Sequence, residues 1–186
     1  MKKAILITMV FTFAALTFYA QTGVGVGIKA GANFANQNVK DISTKTITNY
    51  HVGAYLNLNL SEKFGIRPEV LYSAQGSKWE DAKVDFNYVA IPVMLRVKPV
   101  EVLSLEVGPQ FSFLTKAHVE GVGDVMDQLK KNDFGLAFGA GLQLPLGFNI
   151  GARYVLGFTD VSDVSESSIK NRIFQLYAGW TFLGAK

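Results

Sequence analysis

The chain has 186 residues, no cysteine and a formal net charge of +3. The length suits one domain, and the missing cysteine excludes disulfides, thiolate sites and lipid attachment through a cysteine. Only 18% of residues are charged, below the roughly 25% usual for soluble domains; leaving aside Lys2 and Lys3, 16 basic residues face 15 acidic ones, which gives no case for nucleic-acid binding.

Met1–Ala20 has the parts of a secretory signal peptide. Lys2 and Lys3 form the positive start, Ala4–Phe18 the apolar run, and Ala20–Gln21 the expected cleavage point. The run is shorter than the ~20 apolar residues of a spanning helix, which argues against an uncleaved anchor. The expected domains are a signal peptide over residues 1–20 and a barrel over residues 21–186.

Behind the signal, segments of about ten residues alternate apolar and mixed positions, as half-buried strands do. Strand 1, about Val24–Phe34, sets Val24, Val26, Ile28 and Phe34 against Gly25, Gly27, Lys29 and Asn33. A long polar connection over Ala35–Asn49 leads to strand 2, about His51–Leu60, and Ser61-Glu62-Lys63 reads as a tight turn. Strands 3 (about Gly65–Gln75) and 4 (about Phe86–Val97) flank a loop around Gly76–Asp85. Strand 5, about Val102–Lys116, precedes a long loop over His118–Asn132, where Asp124–Lys131 suits a helical turn. Strands 6 (about Asp133–Leu144) and 7 (about Phe148–Thr159) are joined by Pro145-Leu146-Gly147, and strand 8 (about Arg172–Phe182) follows the loop Asp160–Lys170.

Eight strands joined alternately by long and short connections match an outer-membrane barrel, with short periplasmic turns and longer extracellular loops. Closure removes the edges an open sheet would expose. Pro68, Pro92 and Pro109 fall inside strands. Proline cannot donate to the ladder, so bulges or irregular pairing are expected there.

Charge decides which face meets lipid. The apolar parity carries no Asp, Glu, Lys or Arg within these strands; the other carries Lys29, Arg67, Glu69, Arg96, Glu106, Asp133 and Arg153. A Lys or Arg facing the bilayer midplane costs roughly 2–4 kcal/mol. These seven residues are therefore expected to point inward as a lumen charge network. An eight-stranded barrel is just wide enough for side chains to fill, so a packed polar interior is expected. The inward glycines either open space in the lumen or permit strong bending and large neighbours such as Tyr55 and Tyr88.

Several segments together resemble the PorT-like outer membrane protein β-barrel family of Gram-negative bacteria. They are Gly27–Ala35 (GIKAGANFA), Pro68–Gly76 (PEVLYSAQG), Asn87–Leu95 (NYVAIPVML), Gly108–Leu114 (GPQFSFL), Asp133–Gly141 (DFGLAFGAG), Ala152–Asp160 (ARYVLGFTD) and Asn171–Phe182 (NRIFQLYAGWTF). The resemblance implies an eight-stranded outer-membrane barrel and no catalytic centre. The family's namesake is associated with protein secretion across the outer membrane. The ending departs from a common barrel signal, because Phe182 is followed by Leu183-Gly184-Ala185-Lys186.

Chemistry-bearing residues are sparse. The two histidines, His51 and His118, stand in no triad spacing with Ser112 or Asp133, and Asp160, Asp163 and Glu166, or Asp124 and Asp127, lack EF-hand spacing. Gly23–Gly27 and Gly139–Gly141 have no Gly-Lys-Ser/Thr of a phosphate loop. Tyr72, Tyr154, Trp180 and Phe182 suit lipid-facing or interface positions, and Trp79 suits an interface anchor.

The expectation is a monomeric, all-β, eight-stranded antiparallel up-and-down transmembrane barrel in the outer membrane of a Gram-negative bacterium. It has no cofactor, metal or catalytic residue. Its partners are the bilayer, lipopolysaccharide and envelope proteins reached through the extracellular loops. Two alternatives are a narrow small-solute channel and a soluble calycin-like barrel; the latter would turn the apolar parity inward around an apolar ligand.

Overall fold

The computed structural model describes residues 23–38, 45–79, 82–119, 123–124, 132–158 and 170–184. The expected signal peptide and the acidic loop with Asp160, Asp163 and Glu166 lie outside the described residues.

Eight long strands form the wall: β1 (Gly23–Asn38), β2 (Lys45–Asn59), β3 (Phe64–Trp79), β4 (Ala82–Val100), β5 (Leu103–Val119), β6 (Asn132–Gln143), β7 (Phe148–Gly157) and β8 (Lys170–Gly184). Each pairs antiparallel with its sequence neighbours, and β8 pairs with β1 to close the cylinder. Gly123–Asp124 adds a two-residue strand beside the outer end of β5. The expected helical turn over Asp124–Lys131 otherwise lies outside the described residues.

The ladder partners fix the barrel's geometry. From Val24 they run through Leu58, Ile66, Leu95, Val107, Phe138, Tyr154 and Phe174 to Phe34. One circuit thus returns ten residues further along β1, a shear of ten. With about 3.4 Å per residue and about 4.8 Å between strands, that shear tilts eight strands by about 41° and gives a wall radius of about 8 Å. The tilt falls within the usual range for membrane barrels.

The residues on this circuit are apolar and face outward. Ile28, Val52, Val70, Leu105, Phe111, Phe138, Leu176 and Trp180 are all exposed, while Lys29, Arg67, Glu69, Glu106 and Arg153 on the opposite parity are buried. This orientation is the reverse of what a soluble calycin-like barrel requires. Aromatic pairs line the outer wall toward both ends. Tyr50–Tyr72, Phe34–Phe174 and Phe111–Phe134 lie toward the extracellular end, and Phe148 stacks on Trp180 near the periplasmic turns.

The periplasmic turns are short. Ser61 Oγ accepts the Phe64 N–H, and the N–H groups of Leu60 and Ser61 donate to Phe64 O. Pro145–Gly147 forms one 3₁₀ turn, with Leu146 at φ 63° and Gly147 at φ 84°. Glycine takes that conformation at no steric cost.

One expectation is corrected and one is met in part. First, the strands continue past the apolar band, so β1 reaches Asn38 and β2 starts at Lys45. The expected loop Gly76–Asp85 is largely a hairpin, since β3 and β4 stay paired to Trp79 and Ala82. Outside the bilayer, alternation of apolar residues stops while main-chain pairing continues. Second, the pairing is irregular beside the prolines, as expected, but they cause no register shift. Pro68, Pro92 and Pro109 keep ladder partners Val93, Gln110 and Leu136. A neighbouring pair or two drops out instead, with the register kept on either side. Losing a ladder bond is a local cost, whereas a one-residue slip would turn every side chain to the wrong face.

Bulges occur elsewhere. One skips Thr115 in the β4–β5 ladder, where Thr115 Oγ1 donates to Asn87 O at 2.9 Å. Thr115 and Lys116 then both face out and Ala117 turns in, so strict alternation would have misplaced Lys116. A second skips Phe182 in the β8–β1 ladder, leaving Phe182 and Leu183 both outward.

Candidate functional site: the polar lumen

Alternate residues of the strands project into the cylinder and build it in layers. The ionic layer is centred on two carboxylates, Glu69 from β3 and Glu106 from β5. Arg153 of β7 grips Glu69 with both terminal nitrogens, each at 2.8 Å, the planar two-point geometry that makes arginine–carboxylate bonds strong. Lys29 Nζ lies 3.0 Å from both Glu69 oxygens. Arg153 Nη2 also reaches Glu106 Oε2 at 2.9 Å and so joins the two carboxylates. Glu106 Oε1 takes Arg67 Nη1 at 3.0 Å and Arg96 Nε at 3.3 Å, and the Tyr177 hydroxyl donates to Oε2 at 3.3 Å.

Lys29, Arg67, Glu69, Arg96, Glu106 and Arg153 thus form one buried cluster, with Arg67, Glu69, Glu106 and Arg153 side chains at 0% exposure. The expected seventh member sits apart from these six. Asp133 is half-buried at the start of β6, paired in register with Ser112.

The cluster holds four cations and two carboxylates. Part of the excess is met by neutral groups. Asn57 Oδ1 accepts from Arg67 Nε at 2.8 Å and from Arg96 Nη1 at 2.9 Å. Lys29 Nζ lies 3.8 Å from the centre of the Tyr177 ring, and the Arg67 guanidinium 4.5 Å from that of Tyr55. Cations over an aromatic face are attracted by its quadrupole.

Glycines give these rings their space. Gly27 faces Tyr55 and Gly151 faces Tyr177 in the ladders. A Cβ at Gly27 would lie 2.3 Å from the Tyr55 ring, and one at Gly151 2.5 Å from the Tyr177 ring. Each tyrosine lies flat over a neighbouring glycine, which no side-chain-bearing residue could allow without displacing it.

Toward the extracellular end the chemistry changes. Asn33 Nδ2 donates to Ser73 Oγ at 3.0 Å and Ala74 O at 2.8 Å, and its Oδ1 accepts from His51 Nδ1 at 2.8 Å and Gln175 Nε2 at 2.9 Å. An amide oxygen cannot donate, so His51 carries its proton on Nδ1. Gln75 Nε2 donates to Ser73 Oγ, and Gln110 Nε2 to Ser112 Oγ. Phe86, Tyr88, Leu114 and Ala117 form a buried apolar cluster nearby, and Met94, Ala137, Val155 and Ile173 a second. These amides and apolar residues stand on the lumen parity but carry no charge to single them out in the sequence.

At the periplasmic end the lumen opens into a vestibule of about 930 Å³, lined among others by Asn57, Lys63, Arg96, Lys98, Gln143 and Thr181.

A model of the outer membrane protein beta-barrel domain matches residues 19–163. The chain belongs to this family. It is accordingly an outer-membrane protein. No curated protein matches it significantly in sequence. Among solved structures, neisserial surface protein A (NspA) superposes with a TM-score of 0.65 at 13% identity, covering 86% of this chain and 99% of that one. Ail, the attachment invasion locus protein of Yersinia pestis, superposes with a TM-score of 0.51 at 18% identity, covering 85% of this chain and 97% of Ail. A second structure of Ail, in complex with the heparin analogue sucrose octasulfate, gives the same TM-score and covers 86% of this chain and 97% of that one at 18% identity. At these identities the likeness is one of fold.

Proposed function

We propose that this outer-membrane barrel acts through contacts made outside the membrane, by its extracellular connections and the long β3–β4 hairpin, with envelope components such as lipopolysaccharide or a partner protein. The observation that carries this reading is the filled lumen. Four fully buried charged side chains close the cylinder at one level, and apolar clusters lie among the inward residues. With the interior occupied and the wall facing lipid, the segments beyond the bilayer are what the protein presents to other molecules. The resemblance to the PorT-like family gives the partner a direction, a component of protein secretion across the outer membrane.

Photoreactive residues placed at Trp79, Val122 and Val164 in intact cells test it. One recurrent protein adduct supports the reading and identifies the machine. A barrel that is confirmed in the membrane, gives no adduct with protein or lipopolysaccharide, and conducts well above background in a planar bilayer would replace it with a small-solute channel.

A further inference from the structure

We infer that the periplasmic vestibule is a binding site for an oxyanion, a phosphate or carboxylate group, held by Arg96 at its floor and Lys98 at its rim. This goes beyond the proposed role of the extracellular segments and does not depend on it.

Three observations converge on it. First, the buried cluster is unbalanced, with Lys29, Arg67, Arg96 and Arg153 against Glu69 and Glu106. Buried charge is tolerated only when paired and hydrogen-bonded. Where a third carboxylate would halve the excess of two cations, the chain places the neutral amide of Asn57 between two guanidinium groups.

Second, the imbalance is oriented. Arg153 commits both terminal nitrogens to the two carboxylates, on the side of the cluster away from the mouth. Arg96 is the cationic member of the cluster that also lines the vestibule. It is 2% exposed. Its Nε is ion-paired with Glu106 at 3.3 Å and its Nη1 donates to Asn57, while Nη2 has no hydrogen-bond partner among the described residues; Arg67 Nη2 is unpartnered as well, but Arg67 does not line the vestibule. A planar guanidinium with one terminal nitrogen committed and the other free is half of the fork that grips an oxyanion.

Third, the surroundings supply the remaining parts of such a site. Lys98 and Lys63 add positive charge at the rim, and Asn59, Gln143 and Thr181 add polar groups on the same walls. Gln143 Nε2 is another buried donor with no partner among the described residues. Glu62 and Glu101 also line the mouth. Their carboxylates offset Lys63 and Lys98 and leave the rim without net charge, so the selectivity of the site rests on the buried guanidinium.

The test uses the full chain folded in uncharged maltoside micelles, with the Arg96 side-chain N–H signals followed by NMR during titration with inorganic phosphate. The expected result is a saturable shift at Arg96 and at the Gln143 side-chain amide in the millimolar range; in Arg96→Gln, where Gln143 is the reporter, the binding should be at least tenfold weaker. Because Arg96→Gln removes a member of the buried cluster and risks misfolding, Lys98→Gln at the rim serves as the second variant, with an expected weakening of about threefold. A parallel titration with short-chain phosphatidylglycerol distinguishes the sources. A response to both supports a soluble anion, and one to the lipid alone supports a headgroup phosphate at the mouth. A linear, unsaturable shift, or one reproduced equally by chloride, would overturn the site.

Discussion

The two halves of the lumen solve one packing problem with different chemistry. Toward the periplasm the interior is ionic, with Glu69 and Glu106 each shared among several cations. Toward the cell exterior it is neutral, with Asn33 linking His51, Ser73 and Gln175 through amide and hydroxyl hydrogen bonds. In the neutral half each bond is replaceable, since loss of one partner leaves a dipole unsatisfied at modest cost. In the ionic half no member can be removed without leaving charge stranded. The difference predicts that the barrel is held rigidly at its ionic level and more softly above it.

Substitutions graded by size break or sharpen that contrast. The largest effect belongs to Glu69→Gln, which takes a carboxylate from Lys29 and Arg153 together. It should cost about 3–5 kcal/mol of unfolding free energy, read by urea denaturation in lipid vesicles; a loss no larger than that of a neutral-half variant would erase the distinction. Leu105→Arg puts a cation on the lipid side of β5, beside the inward Glu106. There it should cost about 2–4 kcal/mol if Leu105 lies near the midplane, and a neutral outcome would place that ladder level outside the apolar band.

A smaller effect is expected from Gly151→Val. Its side chain collides with the Tyr177 ring, and overpacking of this kind costs about 1–3 kcal/mol. Because Tyr177 also donates to Glu106, the variant should loosen the ionic half selectively, which hydrogen exchange of amides on β7 and β8 would register. The mildest is Ser73→Ala, which removes an acceptor from Asn33 and Gln75. About 1 kcal/mol is expected; a loss as large as that of Glu69→Gln would make the two halves equally demanding.

The wall was legible in the sequence because alternation and charge are one-dimensional signals. The lipid parity, the periplasmic turns at Ser61–Lys63 and Pro145–Gly147, and the inward course of Lys29, Arg67 and Glu69 all follow from residue spacing. Pairing inside the lumen was not legible. Parity tells which residues point inward, but register decides which of them meet, and the shear of ten emerges only from all eight ladders. Asp133 shows the gap, having the right parity but the wrong height. Lys116 shows another, since the bulge at Thr115 reverses its side. The strand extensions to Asn38 and Trp79 were hidden for a simpler reason. Beyond the bilayer nothing selects apolar residues on alternate positions, so a paired strand there has the composition of a loop.

The length of β4 has a consequence for reach. Its 19 residues run from the periplasmic turn to the tip of the hairpin. At about 3.4 Å per residue and a tilt of about 41°, they climb about 46 Å along the membrane normal. The apolar band of such barrels is about 25 Å tall, which leaves a stand-off of about 20 Å. The hairpin is therefore a mast braced along its length by hydrogen bonds, and whatever its tip touches is met at a fixed distance from the lipid, with little of the searching that a loose loop of the same length would need.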